Sequence, residues 1–204
     1  MKNYIVINNQ QIELTEEQVK LILAANSEEK TVKLAEVPAG EVAKIGGYEL
    51  LVLEQMGEST ALICKDLLEG ETEFGENNNY DGSYVDDICG SFAEALEVEV
   101  GEDNILTHEV DLTSDDGLKD YGKIERRASL LTTELYRRYV EVLDKFKPNS
   151  WWWLATPHST EKHGNNSWVK CVSPSGFIGC IYYDGGDSGV RPFCILKSDI
   201  FVSK

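Results

Sequence analysis

The feature that most constrains the fold is the C-terminal part of the chain, where successive segments favour β-structure. Aromatic and β-branched side chains are frequent in residues 151–156, 167–173, 177–183 and 190–196. Gly176 predicts a hairpin between the second and third segments, and Gly185, Gly186 and Gly189 predict a loop before the fourth. Consecutive strands with short connections are typical of a hairpin-rich sheet.

Three consecutive tryptophans open the first of these strands. Side chains alternate between the two faces of a strand, so Trp151, Trp152 and Trp153 cannot all lie on one side. We therefore expect one or two of them in the core and the remainder against a loop or a ligand. A packing role is favoured over a binding role, because aromatic side chains mostly serve packing.

Upstream, the pattern predicts further strands and two amphipathic helices. Strands are predicted at residues 42–45, 48–54, 60–65, 105–112 and 123–131. Ser83 is the predicted N-cap of a helix whose apolar face contains Val85, Ile88, Phe92 and Leu96, and residues 69–82 before it are predicted to form a long surface loop. Thr133 is the predicted N-cap of a second helix, which Pro148 ends; its apolar face contains Leu135, Tyr139, Val142, Leu143 and Phe146.

Residues 1–30 form a predicted β-β-α appendage. Two short strands, 4–7 and 11–14, flank Asn8-Asn9, and Thr15 with Gln18 matches a capping box that opens a helix. The apolar stripe of this helix consists of Val19, Ile22 and Leu23. So small a unit buries too little apolar surface to be stable alone, so we expect it to dock on the main domain, residues 34–204, or on a second copy in a homo-oligomer.

Four motifs follow one another in the C-terminal part: SWWWLATP at 150–157, WVKCV at 168–172, Gly176, and GVRPFCIL at 189–196. Their order and spacing resemble a family of uncharacterised proteins from Gram-positive gut bacteria and their phages and prophages, with a WWLRSP or WWLATP … V … G … GVRP signature. Residues 45–53 and 61–66 are similar to the first hairpin of that family, so the resemblance covers about residues 34–202. The predicted structural residues of the signature are Trp151, Trp152, Trp153, Trp168, Gly189, Arg191 and Pro192.

This resemblance implies an α+β fold that is distantly similar to the C-type-lectin-like fold. Lectins, phage receptor-binding proteins and formylglycine-generating enzymes share that fold, in which two helices pack against a mixed, mostly antiparallel sheet and the termini meet. The predicted order of strands, two helices and further strands also suits other α+β folds. Arg191 is expected to act as a structural clamp on a carboxylate or on backbone carbonyls, because a guanidinium carries five donors.

The strongest indication of a partner is the acidic stretch at residues 66–118. It contains seventeen Asp or Glu and no Lys or Arg, in a chain whose net charge is -17. Such a field repels nucleic acid and anionic membranes and attracts basic surfaces, so the predicted partner is a protein with a basic surface. The predicted partner-binding residues are Glu71, Glu73, Glu76, Asp81, Asp86, Asp87, Glu94, Glu97 and Glu99.

No pattern in the sequence predicts catalysis, a metal or a cofactor. His158 and His163, near Cys171 and Cys180, match no zinc spacing. The oxygen-rich segments 71–81 and 184–188 lack the order of an EF-hand, so solvated loops are favoured over calcium sites. The scattered cysteines Cys64, Cys89, Cys171, Cys180 and Cys194 are predicted to be reduced core thiols.

These observations predict a non-enzymatic, cytoplasmic binding protein of the phage or prophage type. It would recognise another macromolecule through its loops and its acidic surface. One alternative is an inhibitor that mimics nucleic acid and blocks a host defence nuclease, as anti-CRISPR proteins do. A minor alternative is a metal- or cysteine-dependent oxidase related to formylglycine-generating enzymes, which would need Cys180 and Cys194 as a pair.

Overall fold

The computed structural model describes residues 3–7, 10–18, 31–68, 70–186 and 188–204, and the chain divides into two compact units, Met1–Thr31 and Val32–Lys204. In the first unit, β1 (Asn3–Ile7) pairs with β2 (Gln10–Leu14) in antiparallel orientation. The predicted capping box is confirmed, since Thr15 Oγ1 accepts from the Gln18 N–H and Gln18 Oε1 accepts from the Thr15 N–H. The turn at Asn8-Asn9 and the apolar stripe beyond Gln18 lie outside the described residues.

From Thr31 onward the chain is α+β and rich in strands. Its α-helices are α1 (Tyr84–Val100) and α2 (Thr133–Leu143). Its strands are β3 (Thr31–Lys33), β4 (Val42–Ile45), β5 (Tyr48–Gln55), β6 (Ser59–Cys64), β7 (Glu71–Thr72), β8 (Ile105–Leu106), β9 (His108–Asp111), β10 (Lys123–Arg126), β11 (Ala128–Ser129), β12 (Trp151–Pro157), β13 (Trp168–Val172), β14 (Ile178–Tyr182), β15 (Ser188–Gly189), β16 (Phe193–Lys197) and β17 (Phe201–Ser203). Short 3-10 helices lie at Leu34–Glu36, Glu102–Asn104 and Glu161–His163.

Two main sheets organise these strands. An eight-stranded sheet has the order β11-β16-β6-β5-β4-β17-β3, with β8 also paired to β16, and a five-stranded sheet has the order β14-β13-β12-β15-β7. Neighbouring hairpins such as β5–β6 and β13–β14 are antiparallel, whereas β12 and β15 run parallel. The first and last strands of this part of the chain, β3 and β17, are neighbours in the large sheet.

The eight-stranded sheet is buried on both faces. Along β5, Leu50 and Val52 contribute to a core that contains Phe92 of α1, whereas Leu51 contributes to a second core that contains Tyr139 of α2. Because side chains alternate along a strand, a continuous apolar run such as LLVL in β5 provides apolar groups to both layers. The two helices therefore cover opposite faces of one sheet.

The alternation expected for the tryptophans is confirmed. Trp152 and Trp153 are both fully buried but belong to different cores, and Trp151 is only partly buried. The Trp153 indole N–H donates to the Thr72 carbonyl over 2.9 Å, which satisfies its one buried donor. Trp151 packs edge to face on Phe177, with 5.3 Å between ring centroids. The tryptophan run therefore serves packing.

The predicted N-cap is correct for α1 and wrong by one residue for α2. Ser83 is the N-cap of α1, and its hydroxyl accepts from the Asp86 N–H, as expected. For α2 the prediction was wrong by one residue, because Thr132 has extended backbone angles and accepts from the Leu135 N–H. Thr133 is the first helical residue, and its N–H donates to the Thr156 hydroxyl. This contact comes from β12, which no local pattern around Thr133 reveals.

The segment before α1 is not the surface loop that its composition predicted. Phe74, Asn78 and Tyr80 are fully buried, and Glu71–Thr72 forms a short strand. The Asn78 amide donates to the carbonyls of Ser159 and Trp168 and accepts from the Tyr121 hydroxyl. Buried polar groups are nearly always hydrogen-bonded, and these three bonds explain how an amide is tolerated there.

Two predicted strands are each divided in two. Residues 105–112 form β8 and β9, which pair with β16 and β10, and residues 123–131 form β10 and β11, which pair with β9 and β16. Each break lets one continuous segment leave the large sheet or join it. The sequence pattern cannot show such a change of partner, because the alternation of side chains does not reveal which strand a segment pairs with.

Arg191 fastens the two main sheets together, as a clamp on backbone carbonyls. Only 1 % of its surface is exposed, and its guanidinium donates to the carbonyls of Cys64, Lys65 and Phe146 over 2.7 to 3.0 Å. It also lies over the Trp152 ring, 5.3 Å from the centroid. Burial lowers the pKa of Arg191 to about 10.

We expect Arg191→Lys to reduce the free energy of unfolding by at least about 2 kcal/mol, because an ammonium cannot reach three separated carbonyls and leaves buried acceptors unpaired. Urea unfolding at neutral pH measures the change. The matched control is Arg138→Lys, at an exposed arginine that pairs with Glu54, which should change stability by no more than about 0.5 kcal/mol. Equal effects of the two substitutions would show that the clamp is not structural.

His108 makes the fold sensitive to acid. Its Nε2 lies 2.9 Å from the Ser129 hydroxyl, its ring packs on Phe193, and burial lowers its pKa to about 4. Between about pH 6.5 and pH 4 the unfolded chain therefore binds a proton that the folded chain does not, so stability falls as the pH falls through this window.

We expect His108→Gln to remove this part of the pH dependence, which amounts to about 2 to 3 kcal/mol at pH 4. The measurement is the free energy of unfolding of both proteins at a series of pH values. Parallel curves for wild type and His108→Gln between pH 6.5 and 4 would contradict the assignment.

Candidate functional site

The nine carboxylates predicted to bind a partner separate into two groups. Four have partners within the molecule, namely Glu71, Asp81, Asp86 and Glu97. The other five side chains are exposed, and within the described ranges they have neither an ion pair nor a hydrogen bond; they are Glu73, Glu76, Asp87, Glu94 and Glu99. The second group is therefore the part of the prediction that can face a partner.

Asp86 is the clearest correction to the prediction, because it is 6 % exposed and structural. Arg126 donates through Nε to Asp86 Oδ1 over 2.8 Å and through Nη2 to Oδ2 over 2.7 Å. The same Nη2 also donates to Asp81, and the Gly82 N–H donates to Asp86. Asp86, and then Asp81, raise the pKa of Arg126 above its usual range. A carboxylate held by three donors, the Arg126 Nε and Nη2 groups and the Gly82 N–H, is unavailable to a partner.

Glu97 and Glu71 are also engaged. Glu97 is half-buried and forms an ion pair with Arg127, while Glu71 accepts a hydrogen bond of 2.7 Å from the Ser150 hydroxyl. Arg137 and Arg138 face the acidic residues Asp115 and Glu54. The arginines at 126, 127, 137 and 138 therefore all pair with acidic residues of the same molecule.

The exposed side of α1 carries three of the five unpaired carboxylates, whereas Glu73 and Glu76 precede the helix. Asp87 and Glu94 are seven residues apart, two helical turns, and lie on one exposed stripe with Ser91 and Val98. Glu99 lies on the flank, with its side chain against the Gly46 turn of the β4–β5 hairpin. Exposed Glu102 and Asp103 follow directly after the helix. We call Asp87, Glu94, Glu99, Glu102 and Asp103 the acidic ridge.

The C-terminal part of the acidic ridge is in an electrostatically unfavourable position for the isolated helix. The C-terminal end of a helix carries a partial negative charge, which favours Lys, Arg or His there. In α1 no basic residue lies in the last turn, and Glu97, Glu99, Glu102 and Asp103 surround that end. Arg127 compensates Glu97, whereas no described cation pairs with the other three.

Two clefts border α1, one on each side of the ridge. Each has a volume of about 290 Å³. The first lies against β10 and β11 and is lined by Glu94, Arg126 and Arg127 among others. The second is lined by Asp87, Ser91 and the aromatic residues Tyr48 and Phe92. The two clefts therefore differ, since arginines contribute to the lining of the first and aromatic side chains to that of the second.

The chemistry considered from the sequence is not assembled among the described residues. No group of three or more His, Cys, Asp or Glu in these ranges is placed to hold a metal ion. His163 lies 3.0 Å from Asp116, and His158 is in the strand-to-loop region that follows β12. Cys180 is in β14 of the five-stranded sheet and Cys194 in β16 of the eight-stranded sheet, so they do not form a pair.

The cysteines are free thiols, as expected. Four of them, Cys64, Cys89, Cys171 and Cys194, are buried, and Cys180 is partly exposed. Burial raises the pKa of Cys89, Cys171 and Cys194 to about 12, which keeps these thiols protonated and unreactive.

Within the described ranges, no helix is both long and apolar enough for a membrane span.

Comparison with known proteins found no match to a family model, to a curated protein or to a solved structure. The fold and the site together define an α+β protein with an acidic, helix-borne surface. The resemblance of the C-terminal motifs to a phage-associated family stays a prediction.

Because Asp86 is paired within the molecule and Asp87 is not, substitutions at these neighbouring residues should lower the free energy of unfolding by different amounts. Asp86→Asn should lower the free energy of unfolding by about 2 kcal/mol, because it breaks a buried ion pair with Arg126. Asp87→Asn, one residue along the same helix turn, should cost no more than about 0.5 kcal/mol. Urea unfolding of both variants is the measurement, and a larger loss for Asp87→Asn would contradict the division.

Proposed function

We propose that this chain is a non-enzymatic binding protein whose acidic ridge docks on a basic surface of another protein. The single observation that carries this proposal is the set of exposed, unpaired carboxylates that runs along α1 and continues directly beyond its C-terminal end. The helix has no Lys or Arg among its seventeen residues. A cationic partner would therefore supply the positive charge that this end of the helix lacks.

The electrostatics of the rest of the protein support the choice of site. Carboxylates of the acidic stretch outside the ridge, such as Glu109, Asp111 and Asp115, form ion pairs with lysines. Exposed pairs of this kind reduce the local field, so they attract a distant cation less than unpaired carboxylates do. The unpaired carboxylates, five of which form the ridge, thus contribute more to attraction at long range than the paired ones do.

The fold supports a displayed binding surface of the lectin-like kind. Helices on both faces of a mainly antiparallel sheet, with β3 beside β17 so that the two ends of the domain meet, agree with the C-type-lectin-like arrangement that the motif resemblance implies. Under this proposal the protein is of the phage or prophage type and acts by recognition. Fold alone does not define function, so the ridge carries the argument.

A second candidate function narrows the partner to a nucleic-acid-binding protein. The ridge presents only negative charge along one helix, and such a row of carboxylates can occupy a basic groove that otherwise holds phosphates. The chain would then inhibit a host defence nuclease, in the manner of anti-CRISPR proteins. In that case, duplex DNA should compete with the chain for its partner.

The test compares two triple charge reversals. The ridge variant is Asp87→Lys, Glu94→Lys and Glu99→Lys, and the control variant is Glu36→Lys, Glu58→Lys and Glu141→Lys, at exposed acids on other elements. Both change the net charge equally. We expect the ridge variant to bind immobilised oligolysine about tenfold more weakly than wild type at low salt, and the control variant to lose less than about threefold.

The same three proteins then serve as baits in host lysate at low and at high salt. A partner held by the ridge should be retained by wild type and by the control variant, lost by the ridge variant, and released as the salt concentration rises. If both variants lost the partner equally, the interaction would depend on net charge alone and not on the ridge. Retention by the ridge variant would place the binding surface elsewhere and overturn the proposal.

A further inference from the structure

The edge of the five-stranded sheet offers a second interaction surface, independent of the acidic ridge. Strand β14 pairs with β13 on one side, and in the described part of the chain its other side has no strand partner. An unpaired edge presents a row of backbone donors and acceptors that can pair with another strand.

The hydrogen bonds at both ends of β14 show which residues face outward. The Tyr183 N–H donates to the Ser167 carbonyl, and the Ser173 N–H donates to the Phe177 carbonyl. In an antiparallel ladder alternate residues bond to the same neighbour, so Phe177, Gly179, Ile181 and Tyr183 face β13. The backbone groups of Ile178, Cys180 and Tyr182 therefore point away from the sheet. Among the described residues, the one partner on that side is the Gly185 N–H, which donates to the Tyr182 carbonyl.

This edge is uncharged and apolar. Residues 177–183 read FIGCIYY, without a charge or a proline, in a chain of net charge -17. Phe177 and Tyr182 at its two ends are 56 % and 45 % exposed. Natural edge strands are usually protected by lysines, prolines or bulges, and β14 has none of these within it.

We propose that β14 pairs antiparallel with β14 of a second copy of this chain, with the two-fold axis at Cys180. A copy of the same chain fits because the edge is self-complementary. With the axis at Cys180, Ile178 of each copy lies opposite Tyr182 of the other copy. The dimer therefore contains two cross-strand pairs of a β-branched and an aromatic side chain, both on the same face of the sheet. Isologous pairing of this kind closes after two subunits and joins two five-stranded sheets into one.

Charge also favours this face over others for self-association. Two copies that carry -17 each repel wherever their acidic surfaces meet. On β13, next to β14, Lys170 lies opposite Cys180 and forms an ion pair with Asp115 over 3.0 Å, so the neighbouring strand adds no unpaired charge. The five residues of β14 make a small interface, so the dimer is expected to be of the weak, reversible kind.

The proposed dimer can be tested in the wild-type chain through the thiol of Cys180. It is the central residue of β14 and the one cysteine of the five that is not buried. At the proposed axis it lies opposite its own copy, at the separation of paired strands. A short bifunctional thiol reagent should therefore link two copies of the wild-type chain, and Cys180→Ser should abolish the link but keep the dimer.

Cys180→Pro provides the matched disruption at the same position. The Cys180 N–H points outward and is not part of the β13–β14 ladder, so proline removes a donor that only the second copy would use. Sedimentation equilibrium should show dimers for wild type and Cys180→Ser, and a dissociation constant at least about tenfold higher for Cys180→Pro.

Three outcomes would overturn the proposal. The first is a monomer at all concentrations with a freely alkylated Cys180. The second is a monomer whose Cys180 resists alkylation, which would mean that another part of the same chain covers the edge. The third is a dimer that persists in Cys180→Pro and is not linked through Cys180 in wild type. Failure of the acidic ridge to bind a partner would leave this test unaffected.

Discussion

The second unit depends on a single buried guanidinium that joins elements far apart in sequence. Arg191 follows β15 of the small sheet, and its donors reach the end of β6 in the large sheet and the turn after α2, while its plane covers Trp152 of β12. A buried cation without a carboxylate partner is costly unless carbonyl dipoles surround it. The GVRP segment and the tryptophan run are thus parts of one interaction.

By holding the two sheets together, Arg191 determines which surfaces stay exposed for recognition. With α2 and the small sheet on one face of the large sheet, α1 covers the opposite face, where Phe92 and Leu96 turn inward. The helix then exposes the stripe that carries Asp87 and Glu94. At the far edge of the small sheet, β14 exposes an apolar, uncharged backbone edge. We propose the first surface as the site for a cationic partner and the second as the site for a copy of the chain.

Local signals in the sequence predicted much of this architecture. The Ser83 cap, the Thr15 capping box, the hairpin of β5 and β6 and the alternation of the tryptophans follow from contacts within a few residues. Three features do not follow from such local contacts: the pairing of Asp86 with Arg126, the shift of the α2 cap to Thr132, and the burial of Asn78. Each depends on a partner at least twenty residues away, which periodicity and propensity do not reveal. The sequence could therefore name a stretch of candidate carboxylates, but it could not separate the paired ones from the unpaired ones.

The central claim is that cationic partners bind at the acidic ridge, although carboxylates are spread over most of the acidic stretch. Its most direct test is an NMR titration of the isotope-labelled chain with oligolysine, followed through the backbone amide signals at low salt. We predict that the shifts concentrate on residues 84–103 and disappear as salt is added. Shifts distributed evenly over all acidic segments, or concentrated around Glu109 and Asp115, would contradict the account.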